Sequence, residues 1–107
     1  MPVIRIDFDN EKVEEEDIIA LSEAAQKIVS EVTAIEDVFV YANSSQIKVN
    51  AHPIEVFVEM SAHKIPDVDD LMAKLKARIL AWKTENNFIL PINLTLDPKP
   101  WKIEIGI

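Results

Sequence analysis

Ile54-Glu55-Val56-Phe57-Val58-Glu59 sets aliphatic residues at every second position, the pattern of a strand with one buried face. Fifty positions earlier the chain reads Ile4-Arg5-Ile6-Asp7-Phe8, so that Ile54, Val56 and Val58 fall on Ile4, Ile6 and Phe8. The same slide holds for the segment after each strand. Val68, Leu71, Leu75, Ile79 and Trp82 fall on Ile18, Leu21, Ala25, Val29 and Val32, at the three- and four-residue spacing of a helix with one apolar stripe. A slide of 52 then lays Leu90, Ile92 and Leu94 on Val38, Val40 and Ala42. Two unrelated amphipathic segments would not hold one register through strand and helix together. The chain therefore reads as a βαβ unit written twice, in halves of about 1–50 and 51–107 within a single domain.

The expected fold class is α+β: a four-stranded sheet with two helices on one face, because right-handed βαβ crossovers return each second strand parallel to its first and pack the helix back on the sheet. Asp9-Asn10 offers a cap for the first helix, and Glu14-Glu15-Glu16-Asp17 supplies acid where the helix dipole favours it. The spacing predicts strands at Val38 to Ala42, Ile54 to Ser61 and Phe88 to Thr95, and a second helix from about Asp67 to Glu85. The sheet face without helices would carry Val3, Arg5, Asp7, Phe39, Tyr41, Glu55, Phe57 and Glu59, with Pro91, Asn93 and Thr95 from the last strand. Aromatics on a bare face imply that a second copy covers them. Gln46 to Asn50 reads as a short extra edge strand. Trp101, Ile103, Ile105 and Ile107 alternate with Lys102, Glu104 and Gly106 as a terminal strand that needs a partner.

Composition removes several classes of function. The chain has 107 residues, 49% of them hydrophobic, enough for one buried core. Its net charge of −8 repels phosphate backbones and anionic membranes, so neither nucleic acid nor membrane is an expected partner. There is no cysteine, which excludes disulfides, thiolate nucleophiles and sulfur-held metals. No signal-peptide pattern and no membrane-length apolar run is present, and a cytoplasmic location is the expectation. The one glycine, Gly106, leaves no phosphate-cradling loop, and no cofactor is expected. His52 and His63 have no partner at metal-ligand spacing, and no metal is expected either.

Individual residues say less. Taken alone, Pro2 is a strand-entry residue. With Met1 removed it becomes a secondary amine at the edge of the core, able to serve as a base once apolar surroundings disfavour its cation. His63-Lys64 concentrates positive charge in the loop leaving the third strand. Arg5, on the bare face, is expected to pair with Glu55 or Glu59, and Arg78 with helix acids. Trp82 reads as a core anchor and Trp101 as an interface anchor.

A duplicated βαβ of this length that begins Met1-Pro2 straight into a strand, and ends in an extra strand, resembles the tautomerase superfamily, in size most of all the macrophage migration inhibitory factor group. Met1-Pro2-Val3-Ile4-Arg5 and His52-Pro53-Ile54-Glu55-Val56 look most like a bacterial branch of uncharacterised proteins with a domain of unknown function. The resemblance implies a homotrimer with pockets between subunits and a free Pro2 amine at the floor of each. That amine would act as an isomerase or lyase on a small keto or unsaturated carboxylic acid. The substrate-binding residues expected from it are Lys64, Arg5, Lys12, Phe39 and His63. Lys12 stands where the oxalocrotonate-type enzymes carry an arginine, and Phe39 where they carry a second. Lys64-Ile65 matches the lysine-isoleucine pair of the inhibitory-factor group. The alternative is a non-catalytic trimeric module of the same fold, binding a small molecule or a protein, in which Met1 stays on and Pro2 is structural.

Overall fold

The computed structural model describes residues 1–107. Its strands are β1 (Val3–Phe8), β2 (Phe39–Asn43), β3 (Ile54–Ser61) and β4 (Asn93–Lys99), and its helices are α1 (Glu15–Thr33) and α2 (Val68–Glu85). A single 3-10 turn, Ala62–Lys64, follows β3. The strands lie in the order β2-β1-β3-β4, with β1 and β2 parallel, β3 and β4 parallel, and β1 antiparallel to β3 at the centre. Each half thus keeps its two strands adjacent, and the halves join through their first strands. In the central register Ile6 faces Val56, its own equivalent in the repeat, with Ile4 opposite Val58 and Phe8 opposite Ile54. The pseudo-twofold relating the halves passes between Ile6 and Val56.

Alternation decides what is buried. Ile4, Ile6, Val56 and Val58 are at most 1% exposed, and they meet Ile18, Leu21, Ala25, Ile28 and Val29 of α1 and Leu75 and Ile79 of α2. Arg5, Asp7, Glu55, Phe57 and Glu59 point to the face without helices and stay partly exposed. Acids in the first turn, Glu15, Glu16 and Asp17, favour the start of α1, and its end is set by Ala34 in the left-handed region at φ 58°. α2 begins under a cap in which the Asp67 carboxylate accepts the Asp70 N–H at 3.0 Å.

Three expectations are corrected. The last strand runs from Asn93 to Lys99 instead of Phe88 to Thr95. Phe88 is buried, but against Trp82 at 5.2 Å between ring centres, and the Leu90 carbonyl accepts from Lys83 Nζ at 2.6 Å, so residues 88 to 90 are held to α2 and not to β3. Parity survives the shift: Leu94 and Leu96 stand beside Val56 and Val58, and Asp97 and Lys99 join Asn93 and Thr95 on the bare face. Asp9 does not cap α1, since its carboxylate accepts the Glu11 N–H at 3.0 Å and closes a turn before the helix. Gln46 to Asn50 is irregular: Lys48 turns inward, 2.8 Å from an Asp9 carboxylate oxygen, leaving Ile47 and Val49 facing solvent. Trp101 to Ile107, expected as a strand that needs a partner, makes no pairing within the one chain.

Candidate functional site

The topology gathers one end of the sheet. Because β2 runs parallel to β1 while β3 and β4 run against it, the starts of β1 and β2 lie beside the ends of β3 and β4. Pro2 stands at this end immediately before β1, its ring fully buried, and its carbonyl accepts the Phe39 N–H at 3.2 Å. That bond places the first residue of β2 next to Pro2, and Phe39, 44% exposed, leaves an aromatic ring open to solvent there. His63 and Lys64 sit on the 3-10 turn leaving β3, also at this end and exposed. Lys64 lies on the rim of a cavity of about 290 Å³ between the end of α1 and the start of α2, together with Thr33, Asp67, Asp70 and Lys74.

Two of the expected residues lie elsewhere. Lys12 follows β1 at the opposite end, separated from Pro2 by a six-residue strand, or ~20 Å. There its ammonium donates to the Ala51 carbonyl at 3.1 Å and stands 3.8 Å from Asp9. Arg5 lies midway along β1 on the bare face, where it meets Asp7 at 3.3 Å and Glu59 at 3.2 Å and stacks over the Phe57 ring at 4.3 Å. Glu59 is one of the two partners expected for Arg5, whereas Glu55 accepts from Asn93 Nδ2 at 3.0 Å. One chain therefore places Pro2, Phe39, His63 and Lys64 at the same end of the sheet, and the cavity on whose rim Lys64 lies is lined by neither Pro2 nor Phe39. Lys12 reaches a Pro2 only if that proline belongs to another copy.

Electrostatics single out Asp9, which sequence reasoning took only for a cap, and Lys99, which it did not mark. At the Lys12 end the Lys48 ammonium donates to Asp9, and the Glu11 N–H does too, holding the Asp9 carboxyl below the usual carboxylate range against the burial that opposes it. At the Pro2 end, Lys99 closes β4 and is held above the usual lysine value, first by its hydrogen bond to Asp97 at 2.8 Å and also by Glu59 at 3.4 Å, against partial burial. Continuing the alternation Asn93, Thr95, Asp97 by one step would have found Lys99; placing the last strand too early hid it. No signal in the sequence marks Lys48, because side-chain direction in an irregular segment follows no period.

No three histidine or acidic side chains are gathered as a metal site. No helix is long and apolar enough to cross a membrane. What the Pro2 end offers is a buried ring nitrogen, an aromatic wall and an unpaired lysine. While Met1 is attached that nitrogen is an amide with neither a proton nor a free lone pair, and removal of Met1 converts it to an amine.

No protein-family model matches the sequence, and no curated protein matches it. Solved structures match along nearly the whole chain. A macrophage migration inhibitory factor-like protein from Entamoeba histolytica superposes with a TM-score of 0.64 at 16% identity, over 96% of this chain and 95% of that one. A malonate semialdehyde decarboxylase, solved also with the proline at its first position replaced by alanine, gives 0.65 at 12% identity over 98% and 92%. A domain of unknown function from Sebaldella termitidis gives 0.66 at 12% identity over 100% and 98%. These neighbours are tautomerase superfamily members, and at such identities the likeness is one of fold. The chain has the tautomerase fold, an α+β domain with a four-stranded mixed sheet and two helices.

Proposed function

We propose that the protein, once Met1 is removed, is a tautomerase-like isomerase or lyase. It uses the Pro2 nitrogen as base on a small keto or unsaturated carboxylic acid, at sites shared between copies of a homotrimer. The observation that carries this reading is the position of Pro2: buried at the end of the sheet, bonded to the start of β2, and next to an exposed aromatic. The fold supports it, since one structural neighbour is a decarboxylase in which a first-position proline was itself the target of substitution.

In this reading the amine accepts the enol proton of a bound acid and returns a proton to carbon, so nothing is consumed. Phe39 forms an apolar wall that disfavours the ammonium form. Lys64, with His63 beside it, draws the substrate carboxylate against the field of a chain carrying −8. Lys12 of a second copy supplies the further cation that its own chain cannot bring to Pro2. Arg5 enters only if the substrate displaces Asp7 and Glu59 from it.

The test uses three proteins: wild type shown by intact mass to begin at Pro2, Pro2→Ala, and a form that retains Met1. Ketonisation of an enolic acid such as phenylenolpyruvate is expected from the first, with a loss of roughly 10²- to 10⁴-fold in the other two, the usual worth of a positioned base. Equal rates in all three would remove the proline nitrogen from the reaction. Absence of turnover by the fully processed protein would leave the non-catalytic binding module, which the complete burial of the Pro2 ring also fits.

A further inference from the structure

The Met1–Pro2 bond sits where the sheet closes. Of the two residues it joins only Met1 is partly exposed; the Pro2 ring is under 2% exposed, and its carbonyl accepts the Phe39 N–H at 3.2 Å. Val3 follows at once inside the ladder, with Phe39 on one side and Glu59 on the other, and Ile4 is 0% exposed. β1 is an interior strand, between β2 and β3. One residue therefore protrudes, and the next already belongs to the core.

An enzyme that removes one residue from a chain end must hold the bond it cuts in its own cleft, with the residues on both sides drawn away from other partners. In the folded chain Pro2 and Val3 are not free to be drawn. Releasing them breaks the Pro2–Phe39 hydrogen bond, parts Val3 from two neighbouring strands and brings the Pro2 ring into water, so the cleavable form is an opened state of low population. The unfolded chain has no such barrier. Glu59 follows Val3 by more than fifty positions, so at ~5–20 residues per second β1 stays open on its β3 side for roughly 3–11 s of synthesis.

We infer that the fold itself decides which chains carry the amine: an aminopeptidase removes Met1 only before β1 is enclosed, and a chain that folds with Met1 attached keeps its Pro2 nitrogen as an amide. The inference rests on the reading above, in which the free Pro2 amine is the base, and adds how the supply of that amine is set. Removal is hydrolysis of the Met1–Pro2 amide: water adds to the methionine carbonyl carbon, the bond from that carbon to the Pro2 nitrogen breaks, and the nitrogen takes a proton from the water. Nothing but water is consumed. One sequence then yields two lasting forms, an amine-bearing chain and an amide-bearing chain, in a ratio fixed by the competition between the aminopeptidase and folding.

The test starts from full-length protein that retains Met1, made with the host's aminopeptidase inhibited, purified in its folded state and then given a methionine aminopeptidase. Intact mass against time gives the rate of removal, with a peptide of residues 1–8 as the open reference. Removal from the folded protein is expected to be at least a hundredfold slower than from the peptide, and the Phe39 amide is expected to be protected in hydrogen exchange. A folded protein processed within a hundredfold of the peptide rate would overturn the inference. So would slow removal beside an unprotected Phe39 amide, because something other than the closed sheet would then be blocking the enzyme. Neither readout depends on turnover: a processed protein that is inactive removes the proposed chemistry and leaves the order of processing and folding intact.

Discussion

Asp9 shows how one side chain can hold two parts of the molecule. Buried at the end of β1, its carboxylate takes Lys48 from the connector between the halves and the N–H of Glu11 from the following turn. Since these bonds favour the ionised form, the group adds stability at all pH values above the usual carboxylate range, and that stability is lost as pH falls through the lowered folded-state pKa. Asp9→Asn should therefore melt several degrees lower at neutral pH, and the gap should close on acidification; thermal melts by circular dichroism from about pH 7 to pH 2 check this. A gap that stays constant with pH would mean that Asp9 acts by shape alone. At this scale the sequence was partly legible. Arg5 and Glu59 were readable as a pair because alternation alone puts both on the bare face, whereas Lys48 lies in a segment without a period.

Elements were legible wherever both halves repeat a buried pattern. β1, β3 and the two helices carry the apolar register that a sheet covered on one face demands, and they form where that register predicts them, to within a residue or so at the ends. The last strand moved because its apolar run, Phe88 to Ile92, contains Pro91 and is engaged by α2 through Trp82 and Lys83. Tertiary contact there outweighed strand propensity. The terminal segment has strand-like alternation too, but a ladder needs a second strand, and one chain does not provide it. Leu75 is the equivalent of Ala25 in the repeat and is 0% exposed between α2 and the sheet. Leu75→Ala should lower the free energy of unfolding by about 2–5 kcal/mol, measured by urea titration, with the m-value unchanged. A loss below about 1 kcal/mol would mean that the helix settles into the vacated space and that the packing of α2 is not specific.

At the scale of the molecule, the halves place Pro2, Phe39, His63 and Lys64 at one end of the sheet and Lys12 at the other, so one chain does not bring the full set of expected residues together. The bare face is mixed in character. Phe39 and Tyr41 are 44% and 59% exposed on it, beside a ladder of charges in which Arg5 and Lys99 hold Asp7, Glu59 and Asp97. The fold was readable from the repeat because burial is periodic; Pro2, Phe39, His63 and Lys64 were named through a resemblance and not through the repeat, because position at a sheet end carries no periodic signature. The most direct measurement is a titration of the Pro2 nitrogen in the associated protein, labelled with ¹⁵N at proline and followed by NMR against pH. The expected result is an amine that titrates below free proline, shifted by its apolar walls, and that responds to an added small carboxylic acid. An amide signal that does not titrate, or an amine that titrates as free proline does and ignores the acid, would contradict the proposed chemistry.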